Sequence, residues 1–333
     1  MKETIGVAMS GGVDSSFTAA YFLNQGYQVI GITMQLFDSQ QAHIDAKIVA
    51  DFLGIEHHVL DLREDFQSNV VKYFCDEYSQ TRTPNPCVKC NERIKFGKLF
   101  DFAMNLGVDY FATGHYARIE DGFLKKAKVL DKDQSYFLYR VDRDKLPRIK
   151  FPLGSFSKSE VRRQSELLNL PVASKKDSQE ICFIPNDDYK KFLESRIDFK
   201  PGAIISTHGK ILGKHLGLAN YTIGQRRGLG IANPDPLYVV RLDAESNSVI
   251  VGANSDLFST NLHARDLKFL TPVENEFRAS VKTRSSRRES MATVSIENDI
   301  ATVEFDEPQR AITPGQSVVF YDSDIVLGGG IIY

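Results

Sequence analysis

Apolar and polar positions along the first half of the chain follow two alternating periods. "TIGVAM" is a short apolar strand. In "SSFTAAYFLNQG" the spacing of Phe17, Ala20, Tyr21 and Leu23 predicts a helix that stops at Gly26. "YQVIGITM" returns to strand. In "QQAHIDAKIVADFLG", Ile44, Ile48, Val49 and Phe52 give a second helical face, with Gly54 as the stop. "EHHVLDL" and "DYFATG" read as strands, and "EDFQSNVVKYFCDEYSQ" and "CNERIKFGKLFDFAMNLG" as the helices between them. Strand alternating with helix predicts an α/β, doubly wound parallel sheet, whose ligands lie beyond the carboxyl ends of the strands. Ser10–Ser15, Met34 and Thr113–His115 all fall at such ends and are expected to meet in one crevice.

After about residue 185 the pattern changes. "PGAIISTHGKIL" and "LGLANYTIGQRRGLGIANPDPLYVVRL" are glycine-rich with short β-like runs, and "EFRASVKTR", "ATVEFDE" and "QSVVFYDSDIVLGGGII" partly alternate. The reading is a catalytic α/β domain over 1–185, a small β-rich central domain over 186–258 and an antiparallel β-barrel over 259–333.

Composition narrows the class. The chain has 333 residues, 42% of them hydrophobic and 25% charged, which is ordinary for a globular protein of two or three domains. No apolar run reaches the roughly 18 residues of a membrane span, and no signal segment precedes the first strand, so a soluble, cytoplasmic protein is expected. Four cysteines in a chain of this size are no disulfide scaffold and invite a catalytic or metal reading. The net charge of −2 argues against a uniformly basic nucleic-acid binder but leaves room for a local basic face.

The chemistry concentrates in two stretches. "SGGVDSS" sits between the first strand and the first helix, where Gly11 and Gly12 permit a tight turn and the helix N-terminus offers free N–H groups to an anion. A Walker loop is excluded, because its lysine and its spacing are missing. In "TRTPNPCVKCNERIKF", Pro84 and Pro86 hold the chain extended before a helix beginning near Cys87, so Cys87 and Cys90 lie one turn apart at its start. That position is expected to lower thiol pKa. A structural zinc site is the alternative for C-x-x-C, but only Cys182 in "DSQEICFI" is left to complete it. Cys75, between Phe74 and Tyr78 in an apolar helix, reads as core filler.

The loop "AMSGGVDSS" resembles the pyrophosphate loop of the N-type ATP pyrophosphatases. Together with "TPNPCVKCNERIKF", "TGHYAR", "KDQSYFL", "DSQEICFI", "YTIGQRRGLG", "VKTR" and "TPGQSVVF...LGGGII", the whole chain resembles the bacterial tRNA-specific 2-thiouridylases. That resemblance implies an ATP-dependent enzyme that adenylates O2 of the wobble uridine in tRNAs for Lys, Glu and Gln, replaces it with sulfur, and releases AMP and pyrophosphate. It implies that Ala8, Met9, Ser10, Gly11, Gly12, Val13, Asp14, Ser15, Met34 and Gly114 bind ATP with Mg2+. It also implies that Asn85, Pro86 and Cys87 meet the target base, and that His115, Lys132, Asp133, Gln134, Arg284, Ser285 and Gln316 touch tRNA. Cys182 would carry a persulfide, refilled by a sulfur donor or relay protein, and Cys90 would attack it or close a disulfide with it. Many relatives have Asp where this chain has Cys87, so an acid/base role of that carboxylate does not carry over. Cys87, Cys90 and Cys182 would instead suffice for three corners of a [4Fe-4S] cluster. The loop after Met34 is also short for the family.

Lys282, Arg284, Arg287 and Arg288 in "VKTRSSRRES", with Arg226 and Arg227 in "GQRRG", suit a β-domain gripping tRNA phosphates. Two further readings remain. One is a lysidine- or amide-forming enzyme with the same ATP loop, which would need no cysteine pair. The other is a non-catalytic tRNA-binding or iron–sulfur protein, which would not need the loop intact.

Overall fold

The computed structural model describes every residue except 1, 40, 176–180, 185, 187 and 287, so Arg287 and residues 177–180 of the "DSQEICFI" stretch lie outside the described residues. Five parallel strands form the first sheet: β1 (Thr4–Ala8), β2 (Gln28–Gln35), β3 (Glu56–Asp61), β4 (Tyr110–Ala112) and β7 (Ile149–Lys150), in the order β3-β2-β1-β4-β7. Its strands are apolar because both faces are covered; Ile5, Val7 and Ile32 have no exposed surface. The chain leaves β1 toward β2 on one side and later returns to β4 on the other. The crevice of this topological switch therefore opens directly beyond Ala8, where helix α1 (Val13–Asn24) begins.

Helix α2 (Gln41–Leu53) corrects the sequence reading. Ala46, Val49 and Ala50 face the core, whereas Ile44, Ile48 and Phe52 are exposed. Small residues win the inner face because α2 packs close to the loop: a Cβ on Gly11, at φ +68°, would lie 2.6 Å from Asp45 Cβ and 2.8 Å from the Ala42 carbonyl oxygen. Residues 63–79 and 86–105 are continuous helices with π-helical turns over Gln67–Val71 and Cys90–Leu99.

Strands β8 (Gly202–Ser206), β9 (Ile211–His215), β10 (Tyr238–Asp243) and β11 (Ser248–Gly252) form a separate four-stranded sheet. At the end of the chain, β12 (Phe258–Phe269), β13 (Glu276–Lys282), β14 (Ser290–Glu297), β15 (Ile300–Arg310), β16 (Ser317–Asp322) and β17 (Ile325–Ile332) make an antiparallel barrel, closed by β12 pairing with β17. Alternation along β15 puts Ala301, Val303 and Phe305 inside and Thr302 and Glu304 outside.

The first segment also contributes a hairpin that the sequence reading missed. β5 (Ala117–Glu120) and β6 (Phe123–Lys126) join β17 through the Ile325–Lys125 pair, and Arg118 reaches Asp324 at 2.6 Å. Asp121 and Gly122, both at positive φ, supply the two-residue turn such a hairpin requires. Leu124, Tyr136 and Tyr139 share one core with Val319, Tyr321 and Val326, so the α/β domain and the barrel are packed together. Among the described residues no helix is long and apolar enough to cross a membrane.

Candidate active site

A cavity of about 820 Å³ opens at the carboxyl ends of the parallel strands. Its wall gathers Ala8, Met9, Ser10, Gly12, Val13, Asp14 and Ser15 from the β1–α1 connection, Met34 from the end of β2, and Gly114 and His115 from beyond β4. Pro86, Cys87, Cys90, Lys132, Gln134 and Cys182 complete it. Segments far apart in sequence thus meet where the strand-end argument places them.

The loop owes its shape to its own hydroxyls. Ser15 Oγ accepts from the Ser10 amide at 3.2 Å and donates to the Gly12 carbonyl at 3.1 Å. No side chain caps α1 at Gly12, so the N–H groups of its first turn are left for a ligand. Lys158 Nζ sits 2.8 Å from both carboxylate oxygens of Asp14, and the Tyr116 hydroxyl donates to Oδ1 at 2.9 Å. Lys175 donates to the Gly11 carbonyl at 2.9 Å and pairs with Asp45.

Sequence reasoning missed Lys95, Lys158 and Lys175, because an isolated lysine in a helix or loop carries no local signal. Among the described residues lining the cavity there are four lysines, counting Lys132, and a single carboxylate, Asp14. The cavity is therefore cationic in a chain of net charge −2, which suits polyphosphate and RNA.

Cys87, also lining the cavity, lies in the first turn of the 86–105 helix, and Cys90 begins its π-helical turns. Wide turns of this kind recur at functional sites, where they re-aim side chains. Cys87 and Cys182 are exposed in the cavity, Cys90 is buried, Cys75 is half-buried in a helix away from it, and all four are free thiols. Although Cys87 and Cys182 keep exposed surface, the protein packed around each sulfur desolvates it, which pushes the Cys87, Cys90 and Cys182 thiols up, Cys182 to about 12. The charge of Lys95 opposes this at all three and is outweighed. The lowered pKa expected at the helix N-terminus is not found: desolvation of the thiolate raises all three, and Lys95 does not offset it.

Lys95 Nζ is 3.4 Å from His115 Nε2, and His115 Nδ1 is 2.6 Å from Thr113 Oγ1. Burial, aided by Lys95, holds His115 neutral well below its usual range, so Nε2 accepts and Nδ1–H donates.

Other sequence-selected residues are committed within the protein. Asp133 accepts from the amides of Ala127 and Ser135, and Gln134 accepts from the Tyr116 amide. Arg284 donates to the Ile223 carbonyl and to Thr313, and Gln316 to the carbonyls of Thr83 and Pro84. Ser285, Arg226, Arg227 and Arg288 are exposed on the β-domains, outside the cavity.

A carboxylate beside a polyphosphate is how proteins commonly hold Mg2+; Asp14 is the one carboxylate in the described lining, and Lys158 and Tyr116 engage it here. Among the described residues no three His, Cys, Asp or Glu side chains converge to hold a metal ion. As arranged here, Cys87, Cys90 and Cys182 do not form the three-thiolate group that a [4Fe-4S] cluster requires. A more open cleft of about 930 Å³ beside Cys75 is lined by charges that pair with one another, Arg63 with Asp61 and Lys72 with Asp76, and contains none of these groups.

Comparison with known proteins matches three family models in sequence: a tRNA methyl transferase HUP domain over residues 3–186, a tRNA methyl transferase PRC-barrel domain over 190–253 and an aminomethyltransferase beta-barrel domain over 259–332. A tRNA-specific 2-thiouridylase of Acetivibrio thermocellus is 48% identical, covering 99% of both chains. Another, from Caldanaerobacter subterraneus, is also 48% identical over 100% of this chain and 98% of its own. A solved 4-thiouridine synthetase–RNA complex with bound ATP is more distant, with 17% identity and a TM-score of 0.38 over 58% of this chain and 50% of that one. With nearly half of the aligned positions identical over almost the whole of both chains, the chain belongs to the family of tRNA-specific 2-thiouridylases.

Proposed function

We propose that this enzyme makes 2-thiouridine at the wobble position of tRNA in two stages within the one cavity. The observation that carries the reading is the juxtaposition itself: a phosphate-type loop and three cysteines line the same cationic space. An ATP-splitting ligase without sulfur chemistry needs no such thiols, and a carrier protein needs no such loop.

Ala8–Ser15 bind the phosphates through backbone N–H groups and the α1 N-terminus, while Met34 and Gly114 flank the adenosine. Asp14 would hold Mg2+, which supplies charge neutralisation on the polyphosphate. Uracil O2 attacks the α-phosphorus, the bond to the β-phosphate oxygen breaks and pyrophosphate leaves. O2 is now part of an AMP ester and a competent leaving group. The terminal sulfur of a Cys182 persulfide then attacks C2 and AMP departs.

Cys90 attacks the Cys182 sulfur, so that a Cys90–Cys182 disulfide forms and the electron pair of the broken S–S bond stays on the thiolated base. A thiol reductant reopens the disulfide, and a persulfide donor reloads Cys182. Pro86 and Cys87, which line the cavity, seat the base together with Asn85 just before them, and the exposed Lys132 in the same lining meets the RNA backbone. Lys95 is the cation whose charge favours the thiolate at each of the three cysteines.

The test is tRNA incubated with ATP, Mg2+ and a persulfide donor, followed by nucleoside mass spectrometry and AMP and pyrophosphate assays. Equal yields of AMP, pyrophosphate and 2-thiouridine are expected. AMP and pyrophosphate without thiolation would move the enzyme to another adenylating class.

A further inference from the structure

The base-seating segment is extended and proline-flanked, and such a segment has few ways to hold its own position. Between Thr83 and Asn85 the chain has no helical or strand hydrogen bonds, and the helix that carries Cys87 and Cys90 starts only at Pro86. What fixes it comes from 230 residues away. The Pro314 carbonyl accepts from the Thr83 amide at 2.9 Å. Gln316 Nε2 donates to the Thr83 carbonyl at 2.7 Å and to the Pro84 carbonyl at 3.3 Å. The fully buried Tyr136 donates to the Ser317 carbonyl at 2.8 Å.

Contact is close enough to demand glycine next to Gln316. Gly315 sits at φ +90°, and a Cβ there would lie 2.9 Å from both Arg82 Cβ and the Thr83 amide nitrogen. Arg284 holds the barrel side of this junction through Thr313. A side-chain amide with both its N–H groups directed at backbone carbonyls of another domain is placed to orient that backbone.

We propose that Gln316 is a positioning residue: the barrel turn 313–317 clamps residues 83–85 and thereby sets where the target base stands relative to Cys87, Cys90 and the nucleotide loop. The barrel is then part of the catalytic geometry in addition to any grip on RNA. Misplacing reacting groups by about 1 Å can cost a hundredfold in rate. A lost clamp therefore appears in kcat, and a lost RNA contact in KM. The inference rests on the base-seating role given to Asn85–Cys87.

The experiment uses the full-length enzyme and a tRNA transcript. Thiolation kcat and KM, tRNA affinity by filter binding, and hydrogen exchange over residues 81–90 are measured for Gln316→Ala, Gln316→Glu and Gly315→Ala. The expected result is a kcat lowered at least about tenfold in all three, with tRNA affinity within about twofold of the unaltered enzyme and faster exchange over 81–90. Gln316→Glu matters because it keeps size but cannot donate to a carbonyl. Gly315→Ala matters because it disturbs the clamp without removing a side chain able to touch RNA.

Weakened tRNA binding with kcat and exchange unchanged overturns the inference and makes Gln316 an RNA contact. So does normal kcat in Gly315→Ala and Gln316→Glu, should Gln316→Ala fail to fold. An unaltered enzyme that forms no 2-thiouridine under any condition instead ends the functional reading, which separates the two failures.

Discussion

The loop over residues 8–15 and the thiol wall line one cavity and are built in opposite ways. The loop is local: residues 8–15 turn from β1 into α1, and Ser10, Gly12 and Ser15 bond to one another within five positions. The thiol wall is assembled at long range, with Cys182 from a distant segment, Cys87 and Cys90 from a π-distorted helix, and the segment before them held by the barrel. A local site survives changes elsewhere in the molecule and fails on its own residues. A long-range site fails wherever its supports fail.

The largest effects are expected on the thiol wall. Cys182→Ala and Cys90→Ala should each lower thiolation at least about a thousandfold, the scale seen when an essential nucleophile is removed, while Cys87→Ala keeps appreciable activity. Anaerobic nucleoside analysis of each single mutant, with and without added iron and sulfide, reads this out. Equal loss in all three would restore a cluster, and full activity in Cys182→Ala would sink both routes.

On the loop, Asp14→Ala should slow pyrophosphate release about a hundredfold with tRNA affinity nearly intact, since it removes an electrostatic group from the nucleotide side alone. Comparable loss of tRNA binding would mean that the two walls are not separable.

The thiols also differ from surface cysteines in their pH response. Because burial raises their pKa values, Cys182 to about 12, only a small thiolate fraction exists at neutral pH, and it grows about tenfold per unit as pH rises. Iodoacetamide labelling of Cys182 should therefore keep accelerating from pH 7 to 9. A plateau by pH 8 would instead support activation by the helix N-terminus.

Smaller again is the RNA term. Arg226→Ala or Arg227→Ala, at exposed sites, should each reduce the slope of log K against log salt for tRNA by about one if it meets a phosphate, with Arg284→Ala changing it less because that side chain is engaged in the chain. Salt-series filter binding decides between them.

The smallest effect is on α2: Ile48→Lys should shift stability by no more than about 0.5 kcal/mol, whereas Val49→Ala costs about 2 kcal/mol. Urea melts showing the reverse order would return Ile48 to the core.

Much of the site was legible because its signals are local. Two glycines, an aspartate and serines between an apolar strand and an apolar helix specify an anion cradle from short-range geometry alone, and strand ends in a parallel sheet converge whatever lies between them. The tertiary structure decided what depends on neighbours. Periodicity showed that α2 had an apolar stripe, but which face turns inward was decided by the sheet and α1 against which it packs, burying Ala46, Val49 and Ala50 and leaving Ile48 outside. Charge counts could not show that four lysines share a cavity with one carboxylate. Nor could helix position give the thiol pKa, because desolvation is set by everything packed around the sulfur. The sequence by itself determined the loop, the sheet and the order of domains, which follow from contacts between residues a few positions apart or from strict alternation. The hairpin given to the barrel, the clamp on Thr83–Asn85 and the protonated thiols were decided only in three dimensions, where groups 200 residues apart come within hydrogen-bonding distance.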